Sequence, residues 1–101
     1  MSISLSVAQQ AAPIFAPTRD QLTRVYSGLV DAARKNNTAT PMGRAPMSAL
    51  KHSQMQGFTY RQGRDGGETM FVVRGQLYLN TWNLTPKSSR WEKIGPVPLF
   101  A

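Results

Sequence analysis

The sequence predicts an α+β fold, because its two halves have different hydrophobic periods. In the first half, one segment repeats its apolar residues every three to four positions, as a helix face does. From Phe58 onward apolar and polar residues alternate, which is typical of strands. Separate helical and strand patterns in a chain of 101 residues indicate a single α+β domain. We expect an extended arm at 1–17, this domain at 18–94 and an extended apolar tail at 95–101.

The main helix has a clear start signal. Thr18 suits the N-cap, and Gln21 follows three residues later, as in a capping box. Arg34 and Lys35 stand where cations complement the carbonyl end of a helix dipole. The pattern predicts one main amphipathic helix over 19–35, with a single apolar stripe made of Leu22, Val25, Tyr26, Leu29, Val30 and Ala33.

The segment after the helix predicts a loop and then a short second helix. Residues 36–46 are rich in Asn, Thr, Pro and Gly, which is typical of loops. Pro46 suits the first turn of a helix and Gly57 suits a terminator. We therefore expect the short helix over Met47 to Gln56.

The remainder of the domain, about 58–94, predicts a small antiparallel β-meander of three or four strands. Gly63 to Gly67, Gly75, and Thr85 to Ser88 supply the turn residues that separate the alternating runs. We expect both helices to pack on this sheet, with the numerous aromatic residues of this half forming the core between the layers.

Both chain ends are apolar and carry no ionisable side chain, since none occurs before Arg19 or after Lys93. Ends of free-standing domains are usually polar and frayed. Residues 2–7 alternate strictly, as a strand does, and could pair with an edge of their own domain or of a neighbour. We expect both ends to dock on other chains, copies of this one or other subunits, through Ile3, Leu5, Val7, Ile14, Phe15, Val97, Leu99 and Phe100.

The net charge of +7 is compatible with a polyanionic or acidic partner. The cations are spread along the chain without a basic run, so no polybasic tail is predicted. In the second half they interleave with aromatic residues, a pattern that single-strand binders use to stack bases and follow phosphates. The alternative, which we favour, is a sheet core with cations on its solvated face. The candidate polyanion-binding residues are Arg61, Arg64, Arg74, Lys87, Arg90 and Lys93.

No motif predicts catalysis, a cofactor or a metal. The chain has no cysteine, which excludes disulfides, a thiolate zinc site and a cysteine nucleophile. Its single histidine would need ligands from another chain to bind a metal. No apolar run is long enough for a membrane span, and the apolar N-terminus lacks the basic region of a signal peptide. We expect a non-enzyme that is located in a virion or the cytoplasm and is not secreted by a classical signal peptide.

Together these features favour a non-enzymatic structural or interaction subunit of a larger assembly. The expected setting is a virion of the phage type, because arms that lace neighbouring chains together suit repeated assemblies. The alternative function is a small basic nucleic-acid-binding protein, or an inhibitor acting on a nucleic-acid-binding complex.

Overall fold

The computed structural model describes residues 17–46 and 56–98, which form one helix and a five-stranded antiparallel sheet. The α+β class predicted from the sequence is confirmed. The order of strands across the sheet is β1-β5-β4-β3-β2, so β2 to β5 form a meander and β1 is added at the outer edge of β5. The elements are α1 (Arg19–Lys35), β1 (Thr40–Met42), β2 (Gln56–Gln62), β3 (Gly66–Val73), β4 (Gln76–Leu84) and β5 (Lys87–Pro96).

Helix α1 has the bounds and the start that its sequence predicts. The Gln21 amide N–H donates to Thr18 Oγ1 at 3.1 Å, and the Thr18 amide N–H donates to Gln21 Oε1 at 2.8 Å, which completes the capping box. Within the stripe, Tyr26 and Ala33 are buried, whereas Val25 stays 37% exposed. Val25 lies at the margin of the stripe, so the sheet contacts a narrower face of the helix than the sequence predicted.

The face of the sheet that α1 covers carries the main core. Tyr26 of the helix packs edge-on against Phe58 of β2, with ring centroids 5.1 Å apart. Four further buried residues complete this cluster: Val30, Met70, Leu77 and Leu79.

The opposite face of the sheet carries a second cluster. Phe71 and Trp91 are buried there with ring centroids 5.5 Å apart, and Val73 joins them. The prediction that the aromatic residues form one core against the helix is therefore wrong for this group. Successive side chains of a strand lie on opposite faces of the sheet. Aromatic residues that occupy both odd and even positions of a strand therefore divide between the two faces.

Three boundaries differ from the sequence predictions. Thr40–Met42 lies in the expected loop but forms β1, because it pairs with Trp91 to Lys93 of β5. Strand β2 already begins at Gln56, so Gln56 is not helical; residues 47–55, the rest of the expected short helix, lie outside the described residues. Strand β5 continues to Pro96, two residues past the expected end of the domain.

The turns define two ends of the sheet. Arg74 and Gly75 form the β3–β4 turn, and we call this side the Gly75 end. The β2–β3 and β4–β5 turns lie together at the other side, where the Leu84 N–H donates to the Asp65 carbonyl at 2.8 Å. We call this side the Asp65 end.

Candidate functional site

A groove of about 470 Å³ lies on the sheet face opposite α1, near the Asp65 end. We call it the Trp82 groove. Its walls come from β3, β4 and β5 and consist mostly of uncharged side chains, with Lys87 as the one cation among them. The lining residues are Thr69, Phe71, Asn80, Trp82, Asn83, Leu84, Lys87, Ser88 and Ser89.

The register of the sheet places the Trp82 ring. Gly67 lies directly opposite Trp82 in the β3–β4 pair, and a Cβ at Gly67 would lie 3.1 Å from Trp82 Cζ2. The indole therefore lies across β3 where there is no side chain. Its Nε1–H donates to Thr69 Oγ1 at 3.1 Å, which fixes the orientation of the ring.

The polar side chains of the groove bind one another. The Asn80 amide donates to Ser89 Oγ at 2.7 Å and to the Arg90 carbonyl at 2.9 Å. The Asn83 amide likewise donates to Ser88 Oγ at 3.1 Å. Beside these bonded groups Leu84 is 60% exposed. Since both amides are already hydrogen-bonded and apolar surface remains, the groove is suited to binding an apolar side chain.

The groove borders a stretch of sheet edge that has no strand partner among the described residues. Strand β1 pairs with β5 only at Trp91 to Lys93, whereas β5 begins at Lys87. Residues Lys87–Arg90 are all exposed, and they pair with β4 on one side only. We call Lys87–Arg90 the β5 edge segment.

A cluster of charges lies on the other face, between α1 and the Asp65 end. Glu68 is only 2% exposed there. Arg34 binds both of its carboxylate oxygens, Arg61 Nε donates to Oε1 at 3.0 Å, and the Thr81 hydroxyl donates to Oε2 at 2.9 Å. Arg34 also binds Glu92 at 3.1 Å.

This cluster keeps the Glu68 carboxylate ionised at neutral pH. Burial alone would raise the pKa of Glu68, but hydrogen bonds from Arg34, Thr81 and Arg61 outweigh that effect and lower the pKa to about 2. The hydrogen bond that Tyr60 donates to Asp31 raises the pKa of Tyr60. A carboxyl group whose pKa lies so far below neutral pH is a poor general acid or base. The cluster is instead suited to joining the helix to the sheet.

The predicted polyanion-binding residues lie far apart. Arg61 is engaged by Glu68 on the face covered by α1. Arg64 and Lys87 lie at the Asp65 end, whereas Arg74 lies at the Gly75 end. These four cations therefore do not follow one groove.

Arg90 and Lys93, the other two predicted polyanion-binding residues, lie on different faces of the sheet. Arg90 is opposite Thr81, which faces α1, and Lys93 is opposite Tyr78 on the other face. Of the six cations, Lys87 is the one that lines the Trp82 groove.

Of the residues predicted to bind a partner through the arm and tail, the described part of the chain contains only Val97. Val97 packs against the core on the α1 side, and its N–H donates to the Gly75 carbonyl at 2.9 Å. It is thus half-buried within its own domain. Ile3, Leu5, Val7, Ile14, Phe15, Leu99 and Phe100 lie outside the described residues.

Sequence reasoning missed both the groove and the β5 edge segment. The groove depends on the pairing of Gly67 with Trp82, and the edge depends on the short β1, neither of which the period of the sequence specifies. The available signal for a second apolar face was the set of Tyr78, Trp82 and Leu84, which lie on one side of β4.

Among the described residues, no helix is long and apolar enough to cross a bilayer, and no group of three or more His, Cys, Asp or Glu could hold a metal ion. The chain matches no protein-family model, no curated protein and no solved structure.

Proposed function

We propose that this protein is a non-enzymatic interaction subunit of a larger assembly. The observation that carries the proposal is the Trp82 groove, an apolar surface with Leu84 60% exposed on the sheet face that the helix does not cover. A single apolar residue at a surface needs no explanation, but one beside an aromatic groove is typical of contact surfaces.

The chemistry of the described site supports binding over catalysis. In the groove, the hydroxyl of Ser89 and the amide of Asn80 bind each other, so neither adjoins a base. On the other face, Glu68 is held ionised by two arginines. A nucleophile needs a base within hydrogen-bond reach; the Thr81 hydroxyl adjoins Glu68, but a carboxylate whose pKa is held at about 2 is a poor base.

The proposed occupant is the N-terminal arm of a second copy of the chain. Residues 2–7 alternate apolar and polar side chains and carry no charged side chain. Such a segment can present Ile3, Leu5 and Val7 to an apolar surface while its backbone pairs as a strand. The virion setting rests on the sequence of the arms alone and remains a prediction.

No observation favours the nucleic-acid alternative over this proposal. Non-specific binding of a strand requires cations along one groove that also offers aromatic faces. Trp82 offers such a face, but Arg74 lies at the far end of the sheet and Arg61 is engaged by Glu68.

Sedimentation analysis of the full chain over a range of concentrations tests the proposal. We expect the wild type to form dimers or larger species, and a variant with Ile3→Ser, Leu5→Ser and Val7→Ser to sediment as a monomer. A variant that lacks residues 99–101 tests the tail in the same way; the deletion begins at Leu99 rather than Val97, because removing Val97 would damage the domain core itself. A wild type that stays monomeric at all concentrations, or a serine variant that associates as the wild type does, would overturn the proposal.

A further inference from the structure

We propose that the β5 edge segment, Lys87–Arg90, accepts the N-terminal arm of a second copy as an added strand beside the Trp82 groove. This inference rests on the proposed function and deepens it, because it names the acceptor site and the way the arm binds. Four observations carry it: the direction of the backbone at this edge, the state of the other edge, the pattern of the arm, and the distance that the arm must cover.

The hydrogen bonds of β4 determine which way its backbone faces. Arg74 and Gly75 have φ values of 51° and 75°, so they form a two-residue type I′ turn whose flanking residues hydrogen-bond to each other. Alternation along β4 from Gln76 then directs the backbone groups of Leu84 toward β3. The hydrogen bond from the Leu84 N–H to the Asp65 carbonyl has that direction.

The same alternation gives the direction of β5. Since Leu84 uses its backbone toward β3, its partner Lys87 is in a non-hydrogen-bonded pair and turns its own N–H and C=O away from β4. Two residues later, Ser89 also directs its N–H and C=O outward. The β5 edge segment therefore presents two residues whose backbone donors and acceptors face the side that has no strand partner within residues 17–46 and 56–98.

Strand β1 provides an independent check on this direction. Further along the same edge, the alternation turns the backbone N–H and C=O of Trp91 away from β4 and those of Glu92 toward β4. Strand β1 places Met42 opposite Trp91. Pro41, which has no N–H, lies opposite Glu92, where no hydrogen bond is required. An added strand at Lys87–Arg90 would continue the ladder that β1 begins.

The other edge of the sheet is less suited to strand addition. Strand β2 has an irregular register between Thr59 and Arg61, which disturbs the ladder, and the Arg19 guanidinium donates to the Gly57 carbonyl. In contrast, β5 pairs with β4 without a shift from Lys87 to Lys93. Of the two edges, the β5 edge segment keeps the regular pleat that an incoming strand needs.

The pattern of the arm fits this site. With the arm paired to β5, Ile3, Leu5 and Val7 share one face, and the side chain of Ser89 leaves room on the groove side. These apolar side chains can then cover Leu84, the most exposed large apolar residue among the described ones. The arm has no charged side chain, so placing it beside Lys87 and Arg90 brings no like-charged side chains together.

Distance favours a second copy over the chain's own arm. Helix α1 begins beside Gly57, on the β2 side at the Gly75 end, whereas the β5 edge segment lies at the opposite edge and end. A strand added outside β5 would lie four strand spacings of about 4.8 Å from β2, which with about 20 Å along the strands gives a diagonal of about 28 Å. Residues 8–18, which join the arm to the helix, span about 36 Å when fully extended. The chain's own arm would therefore have to hold this linker at more than two-thirds of its full length, while an arm from another copy is free of that limit.

The main test compares two substitutions at one position in the full chain. Ser89→Pro removes the outward N–H that the added strand needs, and Ser89→Ala removes only the hydroxyl and keeps that N–H. We expect Ser89→Pro to weaken self-association, measured by sedimentation, by about tenfold or more, and Ser89→Ala by less than about threefold. Equal association constants for the two variants would overturn the inference.

A second experiment does not depend on how well the proline variant folds. The receptor is the full chain carrying Ile3→Ser, Leu5→Ser and Val7→Ser, labelled with ¹⁵N, and the probe is a synthetic peptide of residues 1–10. We expect the peptide to shift the amide resonances of Lys87 and Ser89 in the receptor, and Leu84→Lys to weaken peptide binding by about tenfold. Shifts confined to β2 would overturn the inference.

The two failures can be told apart. If the serine arm variant is monomeric and Ser89→Pro associates as well as Ser89→Ala, the proposed function stands and the acceptor site is wrong. If the serine arm variant associates like the wild type, the proposed function itself fails.

Discussion

The two faces of the sheet use the same strands for different purposes, and β4 shows this most clearly. Its residue Leu79 is fully buried beneath α1, while Leu84, five positions later on the opposite face, is 60% exposed. Because alternate side chains of a strand lie on opposite faces, one strand can supply a core with one set of residues and a contact surface with the other.

The difference between the faces extends to their polar groups. On the face that α1 covers, Glu68 is surrounded by cations and a hydroxyl, which joins the helix to the sheet. In the groove on the other face, neutral amides and hydroxyls bind one another, as Asn80 and Ser89 do. The first arrangement holds the domain together, and the second leaves apolar surface exposed, which the proposed contact would cover.

The largest expected effect is a difference in stability between variants of Leu79 and Leu84. Leu79→Ala removes fully buried methyl groups from the core and should lower the free energy of unfolding by about 2–5 kcal/mol. Leu84→Ala should change it by less than about 0.5 kcal/mol, because the side chain is mostly in solvent. Urea denaturation of each variant measures both values, and a large loss for Leu84→Ala would remove the distinction between the faces.

The second effect concerns the charged cluster. Glu68→Gln leaves Arg34 and Arg61 without their shared carboxylate and should cost about 1–3 kcal/mol, reduced from a fully buried pair because both arginines are partly exposed. Glu92→Gln, at a more exposed residue that binds Arg34 only, should cost less than about 1 kcal/mol. Urea denaturation at neutral pH compares them, and equal costs would contradict the assigned role of Glu68.

The same carboxylate makes stability depend on pH. The folded-state pKa of Glu68 is about 2, below the ordinary value of 4.5 for a glutamate, so the folded protein favours the ionised form. The stabilisation is present above pH 4.5 and is lost as the pH falls toward 2. We expect thermal unfolding midpoints of the wild type to fall across this range more steeply than those of Glu68→Gln. Parallel curves for the two proteins would show that another group causes the loss.

A smaller effect tests how the Trp82 groove is built. A Cβ at Gly67 would lie 2.6 Å from the Arg61 carbonyl and 3.1 Å from the Trp82 ring, so Gly67→Ala should destabilise the fold by about 1–3 kcal/mol and alter Trp82 fluorescence. The matched control is Gly28→Ala in α1, where nothing lies within 4 Å. That change should stabilise the protein by about 0.5–1 kcal/mol, through helix propensity alone. An unchanged stability of Gly67→Ala would contradict the position of the indole.

The smallest expected effect is that of salt. An arm without charged side chains should self-associate with a constant that changes less than about threefold between low salt and about 0.5 M NaCl. Binding that neutralises several phosphates would instead weaken by orders of magnitude over such a range. Sedimentation at both salt concentrations, with and without a single-stranded oligonucleotide, distinguishes the two functions.

The sequence predicted the local features well and the long-range ones poorly. Helix α1 follows from Thr18, Gln21 and the apolar stripe, all of which act within a few residues of one another. Strand β1 could not be predicted from the local sequence, because Thr40–Met42 is a strand only through its pairing with β5, some fifty residues away. The Trp82 groove depends in the same way on the register of β3 and β4, which the alternation of apolar residues does not determine.

Amide hydrogen exchange at Ser89, measured by NMR in dilute and concentrated solutions of the full chain, shows whether an arm pairs with the β5 edge segment. We expect the Ser89 amide to exchange rapidly when the protein is dilute and to become protected as the concentration rises, while the Leu79 amide stays protected throughout. A Ser89 amide whose exchange rate is the same at both concentrations, in samples that sedimentation shows to have associated, would contradict it.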